Sequence, residues 1–327
     1  MTNIQLTENP ICKMLDIEVP LFCGAMYPCS NPELVAAVSA AGGMGIVQPM
    51  SLSYVHGHDF RDGLRLIRSL TDKPIGLNLI IETSSKTYLK RTREWTSIAL
   101  EEGVECFVTA LGDPKWIVDM ADGSDTVIFH DVTNARFAQK AFDAGVDGFI
   151  AVNKRAGGHA GKIAAKELLD ELHGFGKPVI CAGGLGTAND FQSALAMGYA
   201  GAQLGTRFIA SNECTAHADY KQAIVAASEE DIVLTERLTG VPVAIINTPA
   251  IQKTGTRAGP IARMMLKGRK TRHWMRTIYS LMSVWKLKKA NQAGSGYQDY
   301  WQAGKSAGGI HGIKPVADIV SEFKAVL

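Results

Sequence analysis

The chain has 327 residues, 46% of them hydrophobic and 20% charged, enough for one large α/β barrel or two ordinary domains. No apolar run approaches the roughly 18 residues of a membrane helix, and the first ten residues carry neither a basic nor an apolar leader, so a cytoplasmic protein is expected. The net charge of +2 hides an asymmetry: residues 237–298 hold twelve Lys and Arg and no Asp or Glu, leaving 22 bases against 32 acids elsewhere. That segment predicts anionic ligands, while the acidic remainder argues against nucleic acid.

The first strand is expected over residues 19–23, ending in Gly24-Ala25-Met26. A helix opens at Asn31-Pro32, with Asn as N-cap and Pro at the first helical position, and stops at Gly42-Gly43 before a strand over 44–47. The same punctuation recurs at Gly103, Gly145 and Gly198, each closing a helix just before a short apolar strand, over 106–109, 149–152 and 202–204. Further strands over 75–79 and 178–182 follow Lys-Pro, and one over 126–129 follows an acidic turn. Helices over 60–70, 85–102, 133–144, 164–173 and 188–197 separate most of them.

Eight such β-then-α units in about 210 residues predict an α/β fold of the (β/α)8, or TIM, barrel type. A doubly wound dinucleotide sheet would need G-x-G-x-x-G between the first strand and helix, and Gly24-Ala25-Met26 is not that. The barrel is assigned to residues 1–214 and 312–327, the latter supplying the eighth helix. Residues 215–311 are expected as a helical, basic insertion lying as a lid over the barrel mouth. Within it, residues 263–289 mix nine bases with apolar residues, a pattern that suits a lid, a membrane surface or an acidic partner, of which the lid is preferred. The six cysteines form no C-x-x-C pair and sit in or beside apolar runs, as reduced buried thiols do.

Three glycine-rich strand ends follow one another. The loop at residues 156–161 reads Ala-Gly-Gly-His-Ala-Gly; the next strand ends Ala182-Gly183-Gly184; the last ends Gly205-Thr206. Glycine lets a ligand approach backbone amides with no Cβ between, and two such ends leading into helices make an anion cradle, in the place where barrels commonly hold phosphate. FMN, pyridoxal phosphate or a sugar phosphate would all fit such a cradle. Pyridoxal phosphate would also want a strand-end lysine, and none is evident.

Gly24, Ala25, Met26 and Asn78 place small residues, amides and one carboxamide around the mouth, as a flat ring requires, although Met26 also suits a core and Asn78 a satisfied buried amide. His159 is the candidate catalytic residue, a base or hydrogen-bond donor near pH 7 in a loop too glycine-rich for a core helix, against the plainer reading of a solvated loop histidine. His130 and Asp131 end the fifth strand and either face the site or pair with one another. His56 and His58 lack further ligands at metal spacing, so no metal site is expected. No G-x-S-x-G elbow is present, which argues against covalent acyl chemistry.

The blocks Gly24-Ala25-Met26, Gly76-Leu77-Asn78, 156–161, Ala182-Gly183-Gly184 and Gln203-Leu204-Gly205-Thr206-Arg207-Phe208 resemble the nitronate monooxygenase family, formerly called 2-nitropropane dioxygenases, over essentially the whole chain. The resemblance implies FMN held non-covalently, its phosphate at Gly183, Gly184, Gly205 and Thr206. The isoalloxazine would lie against Gly24, Ala25, Met26, Asn78 and Gln203, with Ala182 beside the glycine pair. It implies that His159 is the family's catalytic histidine, able to deprotonate a neutral nitroalkane. A nitronate and O2 would give a carbonyl compound and nitrite.

The same blocks occur in branches of the superfamily that include flavin-dependent enoyl-acyl-carrier-protein reductases and NADH:quinone reductases. The alternative is therefore an NAD(P)H-dependent reductase of an enoyl thioester or quinone. A homo-oligomer is compatible with either. This chain departs from the family pattern at Val152-Asn153, where an acidic residue is common, at His130-Asp131, where some members carry a base, and at Lys305, where glutamine is usual.

Overall fold

A computed structural model describes residues 9–83, 85–237, 241–257 and 300–327. Eight parallel strands close into a barrel in sequence order: β1 Leu21–Cys23, β2 Met44–Val47, β3 Ile75–Ile81, β4 Cys106–Leu111, β5 Val127–Val132, β6 Gly148–Val152, β7 Val179–Ala182 and β8 Gly201–Leu204. Leu21, Phe22 and Cys23 register against Ala202, Gln203 and Leu204, which closes the ring.

Helix α1, Pro10–Leu15, precedes the barrel and packs Ile11, Cys12 and Leu15 among the interior residues Phe22, Met44 and Phe129. Its cap Asn9 accepts from the Ile11 amide at 2.9 Å and donates to Ala200 O at 2.9 Å, which ties this helix to the start of β8. Phe22 and Phe129 meet edge to face at 5.7 Å inside the barrel and are fully buried, each contributing about 1.5–3 kcal/mol by burial.

The outer layer contains α2 Pro32–Ala40, α3 Phe60–Leu70, α4 Lys86–Glu101, α5 Lys115–Ala121, α6 Ala135–Ala144, α7 Ala165–Leu172 and α8 Ala188–Met197. Gly145 and Gly198 end α6 and α8 with φ of 93° and 108°, a conformation that costs a residue with a Cβ about 1 kcal/mol or more. The ring of helices closes through α12, Val316–Lys324, which packs against α2 and α8 and sets Phe323 against Phe191 at 5.6 Å.

Two expectations change. Asn31 holds the N-cap position of α2, with Pro32 next, but its side chain makes no capping bond: it donates to Glu213 O at 2.9 Å and accepts from the Thr215 amide at 3.1 Å, stitching α2 to the chain beyond β8. The segment expected to be a helical insertion is of mixed structure. After the single turn α9, Thr206–Ile209, come α10 Ala218–Ala226, an antiparallel pair β9 Ile232–Thr235 and β10 Val243–Ile246, α11 Pro249–Thr254, and a 3-10 turn Lys305–Gly309. The buried run Val243–Ile246 pairs in register with Ile232–Thr235, Val243 opposite Thr235 and Ile246 opposite Ile232. The stretch 263–289, expected as the lid, lies outside the described residues.

Candidate active site at the barrel mouth

Strand alternation decides what faces the mouth. Phe22, Val108, Phe129, Ile150 and Ile180 belong to the interior cluster, so the residues two positions on, Gly24, Ala110, Asp131, Val152 and Ala182, turn inward at the carboxyl ends. Gln203 turns inward between Ala202 and Leu204, which pack outward against the helices. Asn78 lies inward likewise, flanked by outward Leu77 and Leu79, and its Nδ2 donates to Val108 O at 3.2 Å. Met26 is fixed just beyond β1, its amide donating to Ser30 Oγ at 2.9 Å, with Ala25 packed on the interior cluster.

The loop after β6 is held on several sides. Asn153 donates from Nδ2 to Gly183 O at 2.9 Å and accepts at Oδ1 from the Arg155 amide at 2.8 Å. Its carbonyl accepts from Ala156 N and Gly161 N, so residues 153–161 fold back on themselves. From outside, Ala244 N donates to Gly158 O at 2.9 Å, pinning the loop to β10, and Lys305 N donates to Arg155 O at 3.0 Å. Arg155 also forms an ion pair with Glu229.

This loop carries His159 to the rim. Solvent reaches the side chain, while protein crowding on its other sides disfavours the imidazolium and lowers its pKa from the usual histidine value. A histidine so held is neutral at pH 7 and able to accept a proton.

The two glycine ends lie side by side, with β7 paired to β8. Gly183 and Gly184 have φ of 116° and 82°, and a Cβ on Gly183 would sit 2.5 Å from Ala156 N. A Cβ on Gly205 would meet Met26 Sδ at 3.3 Å. Thr206 is buried; its Oγ1 accepts from Gly304 N at 3.0 Å, which leaves the hydroxyl proton to donate elsewhere. Ahead of the helix after β7, Asp190 takes hydrogen bonds from Gly186 N and Thr187 N, which fixes the turn that follows the glycine pair.

His130 and Asp131 do not pair. Successive residues of a strand face opposite ways, so His130 points into the helix layer, where Nδ1 lies 2.8 Å from Thr109 Oγ1, and burial lowers its pKa to about 4. Asp131 faces the mouth. Its Oδ1 is buried with no hydrogen-bond partner among the described residues, and burial pushes the carboxyl up to about 7.

Residues 8–325 match the nitronate monooxygenase family. The chain belongs to that family. It is accordingly a flavin-type oxidoreductase. Members of the family at this distance differ in what they are named for. A (3aS,4S,5R,7aS)-5-hydroxy-7a-methyl-1-oxo-octahydro-1H-indene-4-carboxyl-CoA dehydrogenase of Mycobacterium tuberculosis is 26% identical over 281 residues, 84% of this chain and 77% of that one. A Staphylococcus saprophyticus protein described as "Probable nitronate monooxygenase" is 24% identical over 286 residues, 73% of this chain and 79% of that one. The structure of FabK from Thermotoga maritima superposes with a TM-score of 0.79 at 29% identity, over 97% of this chain and 95% of that one.

Sequence reasoning found the glycine ends and His159 but not what braces them. Ala244, Glu229 and Gly304 reach the site from 70 to 150 residues away, and no local pattern announces such contacts. The opposite facing of His130 and Asp131 was readable from strand alternation alone.

Proposed function

We propose that this enzyme uses FMN to oxidise alkyl nitronates with O2, giving a carbonyl compound and nitrite. The observation that carries the reading is His159, a histidine kept neutral on a braced glycine loop at the rim of a flavoenzyme barrel. On a neutral nitroalkane an imidazole nitrogen of His159 takes the α-proton and leaves the nitronate in the mouth. The neighbouring loop contacts hold that nitrogen in place, which is where positioning contributes to rate.

The residues present fit a flavin. Gln203 Oε1 is buried without a partner among the described residues, an acceptor suited to a ring N–H. Beside it Gly24 leaves flat space, since a Cβ there would lie 2.9 Å from Gln203 Cγ. Asn78, Ala25 and Met26 complete the ring contacts in this reading. Gly183, Gly184, Gly205 and Thr206, next to Ala182, take the phosphate. When bound, FMN supplies the centre that accepts electrons from the substrate and passes them to O2. We also assign the described residues 215–237, 241–257 and 300–311 to a cover over the mouth, because β10 and Gly304 already grip the loop after β6.

A second reading, an NAD(P)H-dependent reductase of an enoyl thioester or quinone, is favoured by the 26% identity to a carboxyl-CoA dehydrogenase and by the cationic stretch in residues 237–298. One experiment separates them. Flavin-loaded protein is mixed without air with an alkyl nitronate, NADH or NADPH, and the flavin absorbance is followed; air is then admitted and nitrite measured. A spectral change with nitronate alone, followed by nitrite on aeration, supports the oxidation. Rapid bleaching by a nicotinamide, with no nitrite from nitronate, overturns it in favour of the reductase.

A further inference from the structure

We propose that Asp131 is a proton-linked contact for the substrate, taking up one proton when an anionic ligand enters the barrel mouth and donating a hydrogen bond to that ligand's oxygen. The proposal rests on the reading that a nitronate-like anion occupies this mouth, and it adds a residue and a pH dependence to that reading.

The geometry is the starting point. Asp131 stands two residues beyond Phe129 on the same face of β5, so it caps the apolar barrel interior at the mouth. Its neighbours in register on β6 and β4 bring no charge. Ile150 pairs with it directly, Val152 is the next inward residue of β6, and Ala110 is the inward residue at the end of β4. Oδ1 is fully buried and accepts no hydrogen bond.

A buried carboxylate oxygen without a donor costs free energy that a proton on the carboxyl relieves. The titratable groups on the adjoining loops do not substitute for that proton. Asp113, after β4, acts on His130 on the far side of the strand. Arg155 is engaged by Glu229, and His159, uncharged at neutral pH, brings no cation. Lys154 is exposed. Burial is the sole cause of the shift that puts the Asp131 pKa at about 7, and no cation contributes to it.

An anion arriving beside an ionised Asp131 meets like charge in a poorly solvated site. Beside the neutral acid it meets an O–H donor. Anion binding and protonation of Asp131 therefore favour one another, and by linkage each raises the affinity for the other.

The test uses flavin-loaded protein and two probes of one shape, propionate, a carboxylate isostere of a small nitronate, and propionamide, its neutral counterpart. Binding is read from the perturbation of flavin absorbance between pH 6 and 9. Propionate affinity is expected to fall about tenfold per pH unit above the Asp131 pKa, while propionamide affinity stays flat. In Asp131→Asn, which keeps the shape and cannot ionise, the propionate dependence is expected to flatten over that range. A second measurement needs no variant: in weak buffer at pH 8, wild-type protein should take up about one proton per propionate bound.

Equal pH dependence in wild type and Asp131→Asn, or no proton uptake by wild type, overturns the proposal. Propionate binding is independent of turnover. Failure to oxidise nitronates would sink the reaction assignment and leave this linkage standing, and turnover without linkage would do the reverse.

Discussion

Gly157 and Gly304 meet backbone to backbone: a Cβ on Gly157 would lie 2.9 Å from Gly304 N, and one on Gly304 would lie 2.6 Å from Gly157 N. The contact joins the His159 loop to the chain that returns to the barrel before its last helix, and Gly304 N also donates to Thr206. Because the obstacle is backbone, neither side can yield by a rotamer change. Gly304→Ala is expected to cost about 1–3 kcal/mol of stability by overpacking. It should also lower turnover more than that loss predicts, because it shifts two parts of the site at once. Thermal unfolding and steady-state rates measured on one preparation check this.

His159→Asn separates the base from the binding loop. Turnover of a neutral nitroalkane should fall by about 10²–10⁴, the usual contribution of a general base. Turnover of a preformed nitronate, which needs no deprotonation, should fall far less. Equal losses with both substrates would remove His159 from proton transfer. The flavin content of the variant, measured alongside, shows that the site remains assembled.

The barrel was legible because its signals are local. Gly103, Gly145 and Gly198 each stop a helix with positive φ, and an apolar strand follows within a few residues. Helices α3 and α8 have the bounds expected of them. The pair β9–β10 was not legible, because four-residue apolar runs carry too little periodicity to choose between strand and helix. Helix α5, with only Ile117 and Ala121 buried, was missed for the same reason. In the site, the residues proposed to hold the phosphate were marked by glycine. Those that brace them, such as Ala244 holding Gly158, act through backbone hydrogen bonds that any residue can make.

Gly183→Ala tests the phosphate cradle. The residue has φ of 116°, and its added Cβ would sit 2.5 Å from Ala156 N and 2.7 Å from Asn153 Oδ1. Strain of this kind costs on the order of 1–3 kcal/mol and falls where β7 meets the loop after β6. Flavin affinity is expected to drop at least tenfold, read by equilibrium dialysis with FMN. Retention of wild-type affinity would place the phosphate elsewhere.

Glu229→Gln is expected to do little to stability. The ion pair with Arg155 has side chains 39% and 37% exposed, where such pairs contribute about 0–1 kcal/mol. Its consequence should fall on the loop instead, as a higher KM with little change in melting temperature. A large loss of stability would mean that this ion pair anchors the fold rather than the loop.

His130 gives the fold a pH dependence of predictable sign. Its pKa is about 4 in the folded chain, against about 6.5 for an ordinary histidine. Between those values the unfolded chain binds the extra proton and the folded chain does not, so stability rises with pH across that window. The contribution is fully present above about pH 6.5 and is lost as pH falls towards 4, amounting to on the order of 3 kcal/mol. Asp131 works the other way, since its raised pKa makes the folded chain the better proton binder and lowers stability as pH climbs towards 7. Wild type alone would show only the difference between the two. Denaturant unfolding of His130→Gln should therefore be compared with wild type at pH 4.5 and pH 7.5. The variant should be destabilised at pH 7.5, where Thr109 keeps its bond to Phe129 O but loses the His130 contact, and less so at pH 4.5, where wild type has already lost most of the contribution. An equal deficit at both values would mean that His130 is protonated in the folded chain and that its contact with Thr109 survives the charge.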